Sequence, residues 1–441
     1  MTGPATTTTG HTTGRPAWRP LAGVLAAITV SLTGTRVSAV ALPWFVLSTT
    51  GSATRTGAVA FCELTPYVLV KAFTGPLVDR IGPRTVSWTS DLVSACAAGA
   101  IPLLNAVHLL PFWPLLGLVA LIGAARGPGD LAKEVMVPEA AENGRIPLER
   151  ATGLSGVAER LASTAGPAAG GVLVALFGPL TGLTVNAASF AAGSLIVALV
   201  LPRGLGHGGM GQGGMGHGVR DRSRGDGERP AHRDEEPGYV RRLGEGLAFL
   251  RGEPLLLTVT VMIGITNLLD TAFTSVLVPV WARNSGGGPA AIGLTGAVWG
   301  VTALGGSLVA ALVAHRMRRR AVFFTGFLLA GAPRFLVLAL GAPLWAVLAV
   351  FAAGGIGVGF LNPILGAIAF ERVPRRLWGR VRALADSLAW AGIPLGGLVA
   401  GALVASLGLA PVLVAGGAAY FLTTNLTGLR PEWREMDRRR S

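Results

Sequence analysis

Three ionisable residues lie deep inside long apolar segments of this chain: Arg36, Glu63 and Asp270. At about 1.5 Å of helix rise per residue, each would lie around the middle of its segment or somewhat toward the segment's outer end. Charged side chains are costly in such surroundings and therefore mark candidate functional sites. A carboxylate at this depth can bind and release a proton. Asp270 is the first candidate for that role, Glu63 the second, and a purely structural ion pair is the alternative.

The segments that carry these residues have the length of membrane-spanning helices. Hydrophobic residues make up 51% of the 441 residues, and the mean hydropathy is +0.56. An apolar helix of about 20 residues spans a bilayer, and the short alternating segments of a barrel are absent from the sequence. We therefore predict an all-α polytopic membrane protein with twelve transmembrane helices in two pseudo-symmetric six-helix bundles. The predicted spans are 21–50, 54–78, 85–106, 111–131, 151–177, 180–201, 255–281, 289–314, 321–341, 343–370, 381–405 and 409–429.

Positive charge is distributed unevenly among the connections. The net charge is +14, and the Lys and Arg residues gather in alternate connections, including one over 133–150. The intervening connections 105–111, 177–182, 340–343 and 407–411 carry none. Basic loops stay in the cytoplasm, so we expect a bacterial plasma-membrane protein with both termini cytoplasmic. This placement of charge favours the lipid bilayer as partner and argues against nucleic acid.

Composition and an internal repeat divide the chain into parts. Residues 160–171 resemble residues 387–397 at equivalent positions of two six-helix repeats, as expected when two bundles face a central cavity. The predicted parts are a disordered cytoplasmic tail (1–20), an N-terminal bundle (21–202), a cytoplasmic linker (203–254) with a short amphipathic helix (239–251), a C-terminal bundle (255–430) and a basic cytoplasmic tail (431–441).

Metal, disulfide and nucleotide chemistry are not favoured by the sequence. The Gly-rich segment 206–218 holds two His and two Met residues that could bind copper or nickel, but nothing rigid positions them, which favours a flexible linker. Cys62 and Cys96 both fall inside predicted spans and are interpreted as small packing residues. No Gly-x-x-x-x-Gly-Lys phosphate loop occurs in the sequence. We expect no enzyme activity, no metal and no cofactor, with a proton gradient as energy source.

The loop over 75–84 resembles the signature loop of the major facilitator superfamily, Gly-x-Leu-Ala-Asp-Arg-x-Gly-Arg-Arg. Gly75 would allow close helix approach, and Gly82 a tight turn. The resemblance implies that Asp79 pairs with arginines and accepts hydrogen bonds at a helix N-terminus, latching the cytoplasmic side. Arg80 and Arg84 would also fix the topology. A generic basic loop is the alternative, and Pro83 departs from the family pattern. The second-half counterpart, 314–320, has His and Arg where the pattern has Asp and Gly, so a weaker latch is expected there.

The fifth predicted span resembles the antiporter motif of exporters in that superfamily. Its small residues and proline would form a bent, tightly packed helix that seals the membrane during exchange. Ordinary small-residue packing is the alternative, and Ala162 replaces one glycine of the pattern. The matching positions are Gly153, Gly166, Pro167, Gly170 and Gly171.

Further segments resemble the drug-proton exporter branch that includes macrolide-efflux and enterobactin-exporter-like proteins. They are 36–43, 266–270 and 361–398. The resemblance places spans one and seven on the cavity with span two beside them, so that Arg36 could pair with Asp270 or Glu63. Span nine, with Arg334, is expected to be peripheral, and structural pairing is favoured for Glu159, Arg160 and Asp386. Ligand contact or core packing is equally open for Trp44, Asn267, Trp299 and Asn362.

Together these features predict a secondary active transporter. The expected function is proton-coupled efflux of an amphipathic organic compound by alternating access, carried out by a monomer. Import or facilitated diffusion of a small solute is the alternative within the same class. From a different class, a transport-inactive membrane receptor or assembly partner is less favoured, because the cavity charges and both transport motifs argue against it.

Overall fold

Helices account for nearly all of the described residues, and no strand occurs among them. The computed structural model describes residues 17–202, 239–313, 317–374, 377–428 and 433. The segment 206–218 and the start of the second-half loop, including His315, lie outside the described residues. The predicted all-α fold is confirmed.

The helices fall into two halves that follow each other along the chain. The N-terminal half consists of α1 (Arg19–Thr50), α2 (Ala53–Phe73), α3 (Gly75–Ile81), α4 (Pro83–Ala106), α5 (Phe112–Asn143), α6 (Leu148–Phe177) and α7 (Pro179–Val200). The helix α8 (Tyr239–Gly252) precedes the C-terminal half. That half consists of α9 (Pro254–Ala272), α10 (Val278–Asn284), α11 (Gly288–Val313), α12 (Arg319–Ala330), α13 (Ala332–Ala339), α14 (Leu344–Arg372), α15 (Trp378–Ala391), α16 (Ile393–Leu407) and α17 (Leu409–Gly428).

Eleven helical stretches of the described chain are long and apolar enough to cross a membrane. Several of them join two helices, such as α9 with α10 and α12 with α13. The helix α4 is long enough as well, but Asp91 and several serines lower its hydropathy. It packs between α5 and α7. Twelve spans in two bundles are consistent with this arrangement.

Short glycine turns mark one end of the spans. Gly51, Gly178 and Gly408 have φ angles of 67°, 85° and 83°, the left-handed region that glycine adopts without strain. We call this end of the molecule the Gly51 end, and the opposite end, where Gly82 separates α3 from α4, the Gly82 end.

The two halves are pressed together toward the Gly51 end. The contacts between halves are dominated by α2 against α16 and by α6 against α11. Gly57 lies directly against the Gly397 carbonyl, and Thr54 Oγ1 donates a hydrogen bond of 3.3 Å to the Gly401 carbonyl. A methyl group on Gly171 would lie 2.5 Å from Gly293 Cα. Such close approach needs residues without side chains.

The seventh span is interrupted just after Asp270. A π-helical turn, Phe273–Leu277, joins α9 to α10 three residues after Asp270. Pro279 follows in the first turn of α10 and has no N–H to donate to the carbonyl four residues back. Wide turns of this kind are frequent at functional sites. Here the turn carries Phe273, whose ring lies against the guanidinium of Arg334, the ion-pair partner of Asp270.

The fourth span is longer than predicted. The sequence places its end at residue 131 and assigns Lys133 to a basic loop, whereas α5 continues to Asn143. The Lys133 side chain is only 4% exposed and pairs with a buried acid of α4. The prediction was wrong because this charge is neutralised inside the bundle.

Candidate functional site

The carboxylate of Asp270 pairs with the guanidinium of Arg334. Asp270 lies near the end of α9, and Arg334 lies in the first turn of α13. The Arg334 side chain is 6% exposed, whereas that of Asp270 is 40% exposed. The acid therefore faces open space while its basic partner is enclosed.

Aromatic rings enclose the Arg334 guanidinium. Its central carbon lies 4.7 Å from the ring centroid of Phe273, 5.0 Å from Trp299, and 5.4 Å from both Phe335 and Tyr420. A cation over aromatic faces is attracted by their quadrupoles. Tyr420 reaches this position because Gly331, which separates α12 from α13, packs directly against its ring. The rings and Asp270 together satisfy a charge that would otherwise be costly to bury.

Asp270 opens into a cavity of about 420 Å³ between the two halves, which we call the Asp270 cavity. Its walls come from α1 and α6 of the N-terminal half and from the seventh to tenth spans of the C-terminal half. The lining residues include Arg36, Val40, Ser163, Pro167, Asp270, Phe273, Trp299, Arg334 and Phe351. The cavity combines one carboxylate, two guanidinium groups and an aromatic wall.

Two expectations about the arginines need correction. The sequence analysis pairs Arg36 with Asp270 or Glu63, but Asp270 pairs with Arg334, and Glu63 pairs with Arg126 at 3.0 Å. Arg334 was placed at the periphery because its span was expected there. It lies instead on the cavity wall, buried under aromatic rings, because the break at Gly331 starts a new helix just before it.

A network of charged and polar side chains joins α2 to α5 through three links with the same spacing in sequence. Arg126 Nη1 donates to Glu63 Oε1 at 3.0 Å, and Tyr67 donates to Asp130 at 3.4 Å. The third link is an ion pair of 3.0 Å between Lys71 and Glu134. In each link the two residues are 63 positions apart, and successive links are four positions apart. The interacting side chains therefore lie on one face of each helix.

A second cavity of about 420 Å³ is lined by this network, and we call it the Arg126 cavity. It lies toward the Gly82 end. Its lining residues on α1 and α6 belong to the part of each helix nearer that end, and the last of them are Arg36 on α1 and Glu159 on α6. Lys133 also lines it and pairs with Asp91 at 2.8 Å, and Ser31 donates to the same acid at 3.2 Å.

Sequence reasoning missed most of these charges. The signal that could have found them is the fourfold spacing of Glu63, Tyr67 and Lys71 on α2, which α5 repeats with Arg126, Asp130 and Glu134. The Gly-Pro-Gly run after Arg126 is typical of a helix end and concealed the continuation of α5.

The predicted ligand contacts are found in different places. Trp299 lines the Asp270 cavity, whereas Trp44 is half-buried and packs against the cores of both halves. The Asn267 amide donates a hydrogen bond of 3.0 Å to the Ala389 carbonyl, which links α9 to α15. Asn362 belongs to α14, and its side chain lies outside the described part of the chain.

Structural ion pairs were also predicted for Glu159, Arg160 and Asp386, and the structure shows one for Asp386 alone among the described residues. Asp386 pairs with Arg382 at 2.9 Å within α15. Among the described residues, neither Glu159 nor Arg160 has an ion-pair partner. Glu159 is exposed and lines the Arg126 cavity.

The loop at the Gly82 end is anchored by an arginine rather than by its acid. Arg84 donates hydrogen bonds to the carbonyls of Ala198 and Leu201, where it satisfies the C-terminal end of α7. Gly82 has a φ angle of 90° and forms the turn that the sequence predicts. Asp79 and Arg80 are exposed, and within the described chain Asp79 has no ion-pair partner. Outside its own helix turn, no described residue lies within 4 Å of where a side chain on Gly75 would begin.

The glycines of the fifth span have separate neighbours. Gly166 packs directly on the Arg36 side chain, and Gly170 packs on Val37, both on α1. On the opposite side, Gly171 meets Gly293 of α11, and the Pro167 carbonyl lies near the same glycine. The helix therefore contacts α1 within its own half and α11 across the seam. Gly153, in contrast, packs against no other helix in the described part of the chain.

Comparisons with known proteins agree with this architecture. The family model of the Major Facilitator Superfamily matches residues 24–266 and 260–432. The multidrug efflux pump Tap of Mycobacterium tuberculosis is 31% identical over 427 residues, covering 94% of both chains. The Tap pump of Mycolicibacterium fortuitum is 30% identical, covering 95% of this chain and 97% of its own.

Solved transporters share the fold at low sequence identity. The nucleoside transporter NupG superposes with a TM-score of 0.65 at 14% identity, covering 96% of this chain and 100% of its own. A bacterial homolog of the human lysosomal transporter Spinster, in an inward-facing and unoccupied conformation, superposes with a TM-score of 0.66 at 14% identity. The match covers 94% of this chain and 98% of that one. With a family match over most of its length and an architecture of two helical bundles around buried charges, this chain is a membrane transporter of the major facilitator superfamily.

Proposed function

We propose that this transporter exports amphipathic organic compounds in exchange for protons. The names of its relatives support export of drugs. The observation that carries the proposal is the Asp270–Arg334 pair in a cavity lined by both halves. A proton on the carboxylate would dissolve the ion pair, and a substrate in the same cavity could compete with that proton. Competition of this kind is what an exchanger requires.

The packing of the halves supports alternating access as the mechanism. The halves meet at Gly57 with Gly397 and at Gly171 with Gly293. Toward the Gly82 end they diverge and leave a groove of about 880 Å³ between α2 and α15. The basic loops lie at the Gly82 end, which we assign to the cytoplasm. The chain would then be in a state that is closed outside and open inside.

The Glu63–Arg126–Asp130 network supports a second proton site. Arg126 is shared between two acids, at 3.0 Å to Glu63 and with its Nε 3.7 Å from Asp130. Removing one negative charge by protonation would let the guanidinium turn toward the other acid. We assign the primary coupling to Asp270, because its carboxylate faces the cavity that both halves share.

Transport into inside-out membrane vesicles tests the proposal. A growth-inhibition panel of antibiotics and dyes, on cells with and without the transporter, first identifies exported compounds. Vesicles should then accumulate such a compound only while their pH gradient is intact, and a protonophore should stop accumulation. Equilibration without dependence on the gradient would indicate a facilitator. Absence of transport for every compound in the panel would favour a receptor.

Asp79→Asn should reduce transport while leaving membrane abundance normal. In the present state Asp79 is exposed and has no described ion-pair partner, so its latch can form only when the Gly82 end closes. The asparagine keeps the size of the side chain but removes the charge that this latch requires. Transport in vesicles and quantitative immunoblotting of the membrane fraction check the prediction. Wild-type transport by the variant would show that the loop only sets topology.

A further inference from the structure

Arg36 lies where the two cavities meet. Of the described residues, it is the one that lines both the Asp270 cavity and the Arg126 cavity. On α1, Ile28 lines the Arg126 cavity and Val40 lines the Asp270 cavity, with Arg36 between them. The Arg36 side chain therefore faces both cavities.

The Arg36 guanidinium lacks a counter-charge. Each of the other basic side chains on the two cavities has an acidic partner within 3.0 Å: Lys71 has Glu134, Arg126 has Glu63, Lys133 has Asp91 and Arg334 has Asp270. Among the described residues, Arg36 has no ion-pair partner. Its Nε is buried without a hydrogen bond, as are those of Arg126 and Arg334, so the missing ion pair is what distinguishes Arg36. A charge withdrawn from water without a partner is costly.

The charges around Arg36 do not supply that partner. Glu159 and Asp130 attract the guanidinium and Arg126 repels it, all from beyond ion-pair distance. Glu159 is exposed, and Asp130 already interacts with Arg126 and Tyr67. An anion brought into the cavity would be the missing counter-charge.

Helix packing holds Arg36 in this position. A side chain on Gly166 of α6 would begin within clashing distance of Arg36 Cβ, and Gly170 packs on the backbone of the adjacent Val37. The position of Arg36 is therefore fixed by the glycines of the fifth span, with no need for an ion pair. The Nε is enclosed, and the two Nη groups remain as the donors that a ligand can reach.

We propose that Arg36 binds an anionic group of the transported compound, such as a carboxylate or another acidic oxygen group. The proposal rests on the transport function proposed above. A planar guanidinium binds a carboxylate through two parallel hydrogen bonds, a geometry that an uncharged isostere cannot match. The apolar body of the compound would lie on the aromatic wall formed by Phe273, Trp299 and Phe351. The site thus selects amphipathic compounds that carry an acid.

Thermal unfolding of the full-length protein in detergent tests the site with naphthoate and its uncharged amide as probes. Naphthoate well above its dissociation constant should raise the unfolding temperature by about 2–4 °C, and the amide should not. Arg36→Gln should abolish the naphthoate shift, and Arg36→Lys should retain part of it. The matched control is Arg382→Gln, which removes an exposed guanidinium from the α2–α15 groove and should keep the full shift.

The unliganded variant gives a second readout. Because the Arg36 charge has no partner, Arg36→Gln should unfold at or above the wild-type temperature. A large fall would show that Arg36 has a structural role, which overturns the proposal. It is also overturned by equal shifts with both probes, by no shift with naphthoate, or by a shift that survives Arg36→Gln. If naphthoate binds as expected but vesicles transport no compound, the proposed export function fails and the anion site stands.

Discussion

Asp270→Asn should abolish accumulation of substrate against its gradient while leaving downhill exchange partly intact. Asparagine has nearly the shape of the protonated acid but cannot release a proton, so the variant resembles one protonation state permanently. Substrate can still enter a cavity of unchanged shape, but no proton movement can drive it uphill. Arg334 keeps its aromatic enclosure, which limits the cost of losing its acidic partner.

Two vesicle assays separate these effects. Accumulation driven by an imposed pH gradient measures coupling, and exchange of labelled for unlabelled substrate at uniform pH measures alternating access. Glu371→Gln is the matched control, since Glu371 belongs to an ion pair with Arg319 at 2.7 Å that lines neither the Asp270 nor the Arg126 cavity. It should retain both activities. If Asp270→Asn still concentrates substrate, Asp270 is not the coupling site, and Glu63→Gln becomes the next variant to test.

The fold was predictable because its signals are local in sequence. A run of apolar residues identifies a membrane span whichever helices pack beside it. The alternation of basic loops distinguishes the cytoplasmic side of the membrane from the outer side. Gly82 was identified from the loop resemblance, and the structure places it at a turn with a positive φ angle. Asp270 was identified because an acid is rare inside an apolar helix. Each of these inferences needs only the residues adjacent in the chain.

The partners of the buried charges were not predictable in the same way. Asp270 and Arg334 belong to different helices 64 residues apart, and only packing within the C-terminal half brings them together. The register of α2 on α5 likewise decides that Glu63 meets Arg126 rather than Arg36. The rotation of each helix about its axis sets such pairings. A single sequence contains many acids and bases that could pair, and it does not show which helix faces meet.

Gly171→Leu should prevent the closure of the Gly51 end and stop transport. A methyl group at this position would already lie 2.5 Å from Gly293 Cα on the other half. Overpacking a tight contact costs about 1–3 kcal/mol, and here the cost falls only on the state in which the halves meet. That cost corresponds to a shift of roughly 5- to 150-fold in the population of the closed state. The protein should therefore remain mainly open at the Gly51 end.

Cysteine labelling measures this shift. Cys62 and Cys96 are first replaced by alanine, and Ser163, which lines the Asp270 cavity, is replaced by cysteine. A membrane-impermeant maleimide added to intact cells should label this cysteine slowly when Gly171 is present and rapidly in Gly171→Leu. Gly156→Leu is the control on the same helix, because no described residue outside that helix turn lies within 4 Å of where its side chain would begin. Slow labelling together with normal transport in Gly171→Leu would show that closure does not depend on the Gly171–Gly293 contact.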